Sequence, residues 1–154
     1  MDIADLLSSD GIVLRGGASS KRQALQAVAE AAASALGLDE AQALDALLER
    51  EALGSTGLGA GVAVPHARVP GLDRVCAIFL RLDTPVAYES LDDRPVDLLF
   101  ALFAPVNAGA EHLRALAAVS RAMRSPELRE QLRQARTVDA VNALFVKDVS
   151  ASAA

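Results

Sequence analysis

The sequence predicts an α/β fold, a single domain in which a mixed central β-sheet is flanked by helices on both faces. Three observations lead there. The apolar runs Gly61 to Val64, Val75 to Leu82 and Val96 to Phe103 lack polar alternation, so strands built from them need cover on both sides. Segments with helical periodicity precede these runs and others follow them, which supplies the covering layers. A chain of 154 residues suits one domain and buries roughly 68–70% of its unfolded surface, so no staple is needed.

In chain order, Ile12 to Leu14 is a weaker fourth strand. Ser20 with Gln23 has the form of a capping box, and Leu25, Val28, Ala29, Ala32 and Leu36 then repeat at helical spacing until Gly37. Asp39 with Gln42 repeats the device. Leu44, Leu47 and Leu48 give that second helix its apolar stripe, Gly54 ends it, and Arg50 lies near its C-terminal end, where a cation suits the dipole. Pro65 removes a ladder donor and pins its φ, so the strand from Gly61 is expected to stop there, with His66 at its tip. Helices follow from about Ala110 to Met123, from Pro126 behind an N-capping Ser125, and from a capping Thr137 through Val138, Val141, Leu144 and Phe145. Residues 1–149 form the domain and 150–154 a small, polar tail expected to fray.

Composition excludes several classes. Fifteen Lys and Arg against twenty Asp and Glu give a formal charge of -5, and five aromatics among 154 residues offer few stacking platforms. Phosphate backbones demand a basic face, so nucleic acid is not expected as a partner, whereas a protein with a basic contact surface suits the charge. The single cysteine, Cys76, sits in an apolar run and allows no intrachain disulfide, which fits a reducing cytosol. Neither an export signal nor an apolar run near the ~20 residues that cross a bilayer is present. A cytoplasmic protein with no membrane insertion is the expectation.

The stretch Gly54-Ser55-Thr56-Gly57-Leu58-Gly59-Ala60-Gly61 invites a nucleotide-loop assignment that its chemistry refuses. A P-loop needs Lys and Ser or Thr after its last glycine, and Ala60 and Gly61 stand after Gly59 instead. A dinucleotide fingerprint runs from strand to helix, while this stretch runs from helix to strand. What remains is a flexible turn between Arg50 and the strand that ends in Pro65-His66. The other histidine, His112, opens the helix after the apolar strand Val96 to Phe103, where unpaired N–H groups and the dipole favour an anion. Either ring could instead only pack or cap. No His or Cys spacing supports a metal site, and no cofactor is expected.

Glu51, six residues, Leu58-Gly59, two residues and Val62-Ala63-Val64-Pro65-His66-Ala67 together resemble the phosphohistidine signature of the fructose and mannitol class of enzyme IIA in the bacterial phosphotransferase system. The flanking Arg50-Glu51-Ala52-Leu53-Gly54-Ser55-Thr56-Gly57-Leu58-Gly59 resembles the nitrogen-regulatory branch, as do Asp83-Thr84-Pro85-Val86 and Pro95-Val96-Asp97-Leu98-Leu99-Phe100-Ala101-Leu102. Ala60 departs from the polar residue that relatives often carry in this turn.

The resemblance implies a mixed sheet between helices, in agreement with the periodicity. It implies that His66 accepts a phosphoryl group through Nε2 from HPr or a nitrogen-type HPr, with Arg50 and His112 lining the same pocket. Histidine suits a relay because its ordinary pKa of ~6.5 leaves a lone pair free near neutrality. Arg50 would supply a fixed cationic fork, and His112, in the first turn of its helix, a hydrogen-bond donor. Ser55 or Thr56 is expected to offer a hydroxyl to the same anion. Two roles stay open. A regulatory switch would act on kinase or transporter proteins, and a sugar-specific enzyme IIA would pass phosphate to a separate IIB for fructose or mannitol uptake. The absence of IIB and IIC segments from this chain favours regulation.

Overall fold

A computed structural model describes the backbone of residues 2–153 and the side chains of residues 2–146. Two single 3-10 turns, Ile3–Leu6 and Ser9–Gly11, lead into β1 (Ile12–Gly16), and α1 (Lys21–Leu36) and α2 (Glu40–Ala52) follow. Four strands come next, β2 (Gly57–Gly59), β3 (Val62–Ala63), β4 (His66–Arg68) and β5 (Cys76–Val86), then β6 (Val96–Ala104). The chain closes with α3 (Ala110–Met123), α4 (Pro126–Gln134) and α5 (Val138–Ala153). Positions 150–154, expected to fray, carry helical backbone as far as Ala153, and their side chains lie outside the described residues.

Local chemistry sets the helix ends. Ser20 Oγ accepts from Gln23 N at 3.1 Å, but the returning arm of the capping box goes one residue further back, where Gln23 Oε1 accepts from Ser19 N at 2.8 Å. Gly37 closes α1 in the left-handed region, with φ 72, where a side chain would be strained. Asp39 caps α2, Ser125 caps α4 in front of Pro126, and Thr137 Oγ1 accepts from Ala140 N at 3.0 Å at the start of α5.

The sheet is mixed, in the order β1-β5-β6-β3-β2, with β4 also on β6. β5 and β6 are antiparallel, while β1 runs parallel to β5 and both β3 and β4 run parallel to β6. Alternation divides the interior into two layers. Ala63, Ala67, Ile78, Leu80, Leu99, Ala101 and Phe103 face α1 and α2. Val62, Val64, Phe79, Leu98, Phe100 and Leu102 face α3, α4 and α5. On that second side Phe145 of α5 meets Phe79 and Phe100 edge-on, at ring separations of 5.6 and 5.2 Å. Each fully buried Phe or Leu contributes roughly 1.5–3 kcal/mol, so these layers fix the sheet that carries the functional side chains.

The structure corrects the sequence on two strands, the first being β2, which forms within the stretch expected to be a flexible turn and pairs with β3. The strand expected to end at Pro65 instead resumes as β4. Val62 pairs Leu98, Ala63 pairs Leu99, His66 pairs Leu102 and Arg68 pairs Ala104, so the register on β6 is the same before and after the proline. Proline removes a donor but keeps its carbonyl, and Leu102 N donates to Pro65 O at 2.9 Å. His66 is therefore the first residue of a second ladder segment, held from the β6 side, and not a free tip.

Candidate functional site

His66 shares the even-numbered face of its broken strand with Val62 and Val64, which turns its ring toward the α3 side of the sheet. The ring is half-buried, and β4 has β6 on one side and no further strand on the other among the described residues. Past that open edge comes the last turn of α2. Arg50 reaches across it from the opposite layer and places Nε 3.2 Å from Nε2 of His66. Its Nη1 donates to Gly54 O at 2.8 Å, which ties the guanidinium to the turn that follows α2.

The other ring nitrogen settles the tautomer. Nδ1 of His66 lies 3.0 Å from Val64 O, and a carbonyl can only accept, so Nδ1 carries the proton. Nε2 is left with its lone pair, the same lone pair into which Arg50 donates. Burial pushes the His66 imidazole below its ordinary pKa, and the charges of Arg50 and Arg68 push the same way; the Val64 carbonyl and Glu51 oppose them.

His112 stands in the first turn of α3, its ring centroid 5.6 Å from that of His66 and tilted 58° to it. It is 4% exposed, and its Nδ1 is buried without a hydrogen-bond partner. Burial lowers its pKa, and His66 and Arg68 lower it further. A cleft of about 420 Å³ opens beside the two rings, lined by Arg50, Leu53, His66, Arg68, His112 and Leu113 among others. Leu53 and Leu113 are 84% and 65% exposed, so the cationic floor has an apolar rim.

Two expected residues are adjacent but turned to other work. Thr56 is buried, and its hydroxyl lies 2.6 Å from Glu51 Oε1 and 3.1 Å from the Tyr88 hydroxyl. Ser55 Oγ donates to Tyr88 O at 3.3 Å and accepts from Gly57 N at 3.1 Å. Both line a smaller hollow of about 140 Å³ on the other flank of His66 and Arg50, with their hydroxyls engaged in the turn itself. In this arrangement the Thr56 hydroxyl is given to a buried carboxylate and the Ser55 hydroxyl to a backbone carbonyl, so either would have to leave that bond to meet an anion.

Sequence reasoning missed Arg68 altogether. It stands two residues after His66 on β4, and so on the same face, and donates through Nε to Ala108 O at 3.2 Å ahead of α3. The two-residue period would have exposed it had the strand not been expected to end at Pro65. Tyr88 and Lys21, which converge on Glu51 from distant segments, left no local signal. No group of His, Cys, Asp or Glu able to hold a metal occurs among the described residues, and none of their helices is long and apolar enough to cross a membrane.

This arrangement pairs a half-buried imidazole, its lone pair presented, with a guanidinium, a second imidazole and a further arginine on one cleft. Such a set is chemically able to support nucleophilic attack on an anionic centre, with the cations and N–H groups placed to hold the developing charge. Comparison with known proteins gives the family. The family "Phosphoenolpyruvate-dependent sugar phosphotransferase system, EIIA 2" matches residues 5–148. A nitrogen regulatory protein from Bradyrhizobium diazoefficiens is 43% identical over 141 residues, 92% of this chain and 92% of that one. A fructose-specific EIIA component from Haloferax volcanii is 32% identical over 149 residues, 96% of this chain and 97% of that one. The crystal structure of the nitrogen regulatory protein IIA-Ntr from Neisseria meningitidis superimposes with a TM-score of 0.86 at 34% identity, covering 93% of this chain and 98% of that one.

Proposed function

The chain belongs to the EIIA 2 family of the phosphoenolpyruvate-dependent sugar phosphotransferase system, a family of phosphocarriers, and we propose that within it His66 is the phosphoryl acceptor of a regulatory switch. The observation that carries the assignment is the pair of bonds on the ring. Val64 O holds the proton on Nδ1, so Nε2 faces Arg50 with its lone pair.

In the transfer, that lone pair forms the new N–P bond while the bond between phosphorus and the donor's imidazole nitrogen breaks, its electron pair returning to the donor. The proton on Nδ1 stays where it is, bonded to Val64 O. Charge in flight spreads over three equatorial oxygens, and Arg50 lets go of the lone pair to meet them. His112 and Arg68 close the cleft from the α3 side. Ser55 and Thr56 hold the turn. No nucleotide or metal enters, because the donor is itself a phosphohistidine.

The donor we assign to this apolar-rimmed cleft is HPr or a nitrogen-type HPr, and a basic contact surface on it would complement the net charge of -5. A phosphoryl group adds about two negative charges beside Leu53 and Leu113, enough to change which kinase or transporter protein docks there. The likeness to a nitrogen regulatory protein over 92% of the chain supports this switch, acting in the cytoplasm. The second reading is transfer to a separate IIB for fructose or mannitol uptake, which the likeness to a fructose-specific EIIA component supports.

The test is phosphorylation by phosphoenolpyruvate, enzyme I and an HPr-type carrier. His66→Ala should fold and carry no acid-labile phosphate; undiminished labelling removes His66 from the role. Pull-downs with phosphorylated and unphosphorylated chain then separate the readings. Partners that differ between the two forms support the switch, and phosphate passing onward to a IIB supports uptake.

A further inference from the structure

Resting on His66 as acceptor, we propose that Glu51 is the positioning residue that holds this imidazole in its attacking tautomer and orientation. Among the described residues Glu51 makes no hydrogen bond to His66 and does not line the cleft, although its charge favours the His66 imidazolium. Its carboxylate is turned inward at 9% exposure and collects donors from three separate segments. Thr56 donates through N at 2.9 Å and through Oγ1 at 2.6 Å, the Tyr88 hydroxyl donates at 3.1 Å, and Lys21 Nζ lies 3.4 Å away.

From Thr56 the bonds continue to the ring. Thr56 O accepts from Val64 N at 3.0 Å, and Val64 O is the carbonyl that accepts from His66 Nδ1 at 3.0 Å. The path from carboxylate to imidazole thus runs through two residues. The return path is shorter, because Arg50 precedes Glu51 and bonds both Gly54 O and His66 Nε2. Adjacent helical positions point about 100° apart, so the last turn of α2 sends a cation to the outside of the turn 53–56 and an anion to its inside. The five residues Arg50, Glu51, Thr56, Val64 and His66 form a closed circuit with one hydrogen bond on each ring nitrogen.

Circuits of this kind fix a ring only if each member is satisfied. Taking away the carboxylate strands the Thr56 N–H in a buried place and leaves the Thr56 and Tyr88 hydroxyls only each other, and the cheapest relief is movement of the turn. Such movement shifts Val64 O from Nδ1 and Gly54 O from Arg50 together. The imidazole then samples both tautomers, and part of the population has its lone pair on the wrong nitrogen.

The experiment uses the full chain labelled with 15N and compares the parent with Glu51→Gln and Glu51→Ala. In the parent, the ring nitrogen shifts of His66 at pH 8 should report a protonated Nδ1 and a bare Nε2. In Glu51→Ala the two shifts should move toward each other, and single-turnover transfer from a phosphorylated HPr-type carrier should fall about tenfold or more. Glu51→Gln should recover part of both, because its amide oxygen still accepts from the Thr56 hydroxyl. If the alanine variant does not fold, the glutamine variant decides alone, with shifts displaced from those of the parent. Parental ring shifts in a folded variant overturn the proposal, whether or not transfer slows. A parent that shows Glu51-dependent shifts but carries no phosphate on His66 sinks the acceptor assignment and leaves the positioning role standing.

Discussion

Arg50 Nε donates into the one lone pair of His66 that the bond from Nδ1 to Val64 leaves free, across 3.2 Å. The resting site is therefore closed by its own cation, and attack requires the guanidinium to move from nitrogen to phosphoryl oxygen. Arg50→Ala removes both the guard and the charge proposed to stabilise the transition state. Loss of one such donor costs on the order of 10²–10³ in rate, while a half-buried arginine on a helix end adds little stability. Arg50→Lys should recover only part of the rate, because an ammonium cannot span two oxygens as a planar fork does. Rapid-quench transfer beside urea melts checks both statements; equal rates for variant and parent remove Arg50 from the chemistry.

The pH dependence has a definite sign. Both imidazoles are held below the ordinary histidine value, chiefly by burial, so the folded state takes up these protons less readily than the unfolded chain does. Stability is then complete above the unfolded value of ~6.5 and declines as pH falls below it. Phosphoryl acceptance follows the same direction. The neutral, attacking ring persists below pH ~6.5, and the rate falls only under more acidic conditions than a free imidazole would require. A pH–rate profile with its midpoint at or above that of free histidine contradicts this.

Phosphorylation should reverse the setting of His112. In the free protein burial disfavours its imidazolium, His66 and Arg68 disfavour it further, and its buried Nδ1 is unpartnered. A phosphoryl dianion on a ring 5.6 Å away favours the imidazolium instead. The pKa of His112, followed by NMR titration, is expected to rise on phosphorylation. An unchanged titration would place the phosphoryl group away from this ring.

Gly61 links the glycine turn to β3 with φ +83, and its carbonyl accepts from Asp97 N and Leu98 N at 3.1 Å. A Cβ there would press on Arg133 Nη2, which bonds Asp97 and Ala60 O. Gly61→Ala should lose about 1–2 kcal/mol from the left-handed backbone alone. A urea midpoint equal to the parent's would show that the turn relaxes without strain.

Much of this molecule was legible before its structure. Capping at Ser20, Asp39, Ser125 and Thr137 involves residues three positions apart, so the sequence carries both partners of each bond side by side. The unalternating runs that became β5 and β6 required a sheet covered on two faces, and helices on both sides followed from that. The motif around His66 identified the family. β4 was missed because its evidence is a ladder to Leu102, Phe103 and Ala104, which local propensity at a proline cannot reveal. The partners of Thr56, Glu51 and Tyr88, leave no trace in the local sequence because they meet it only after α2, the turn and the β5–β6 connection are assembled.

The division has a physical reason. Sequence by itself determined what depends on neighbours along the chain: element type, helix ends, apolar layers, and the presence of a histidine, an arginine and a second histidine. Tertiary structure decided which ring nitrogen holds the proton, that Arg50 reaches Nε2 from the opposite layer, and that Glu51 lies buried behind both. Those are properties of distance and direction between segments, set only when the sheet edge brings α2, β4 and α3 to one place.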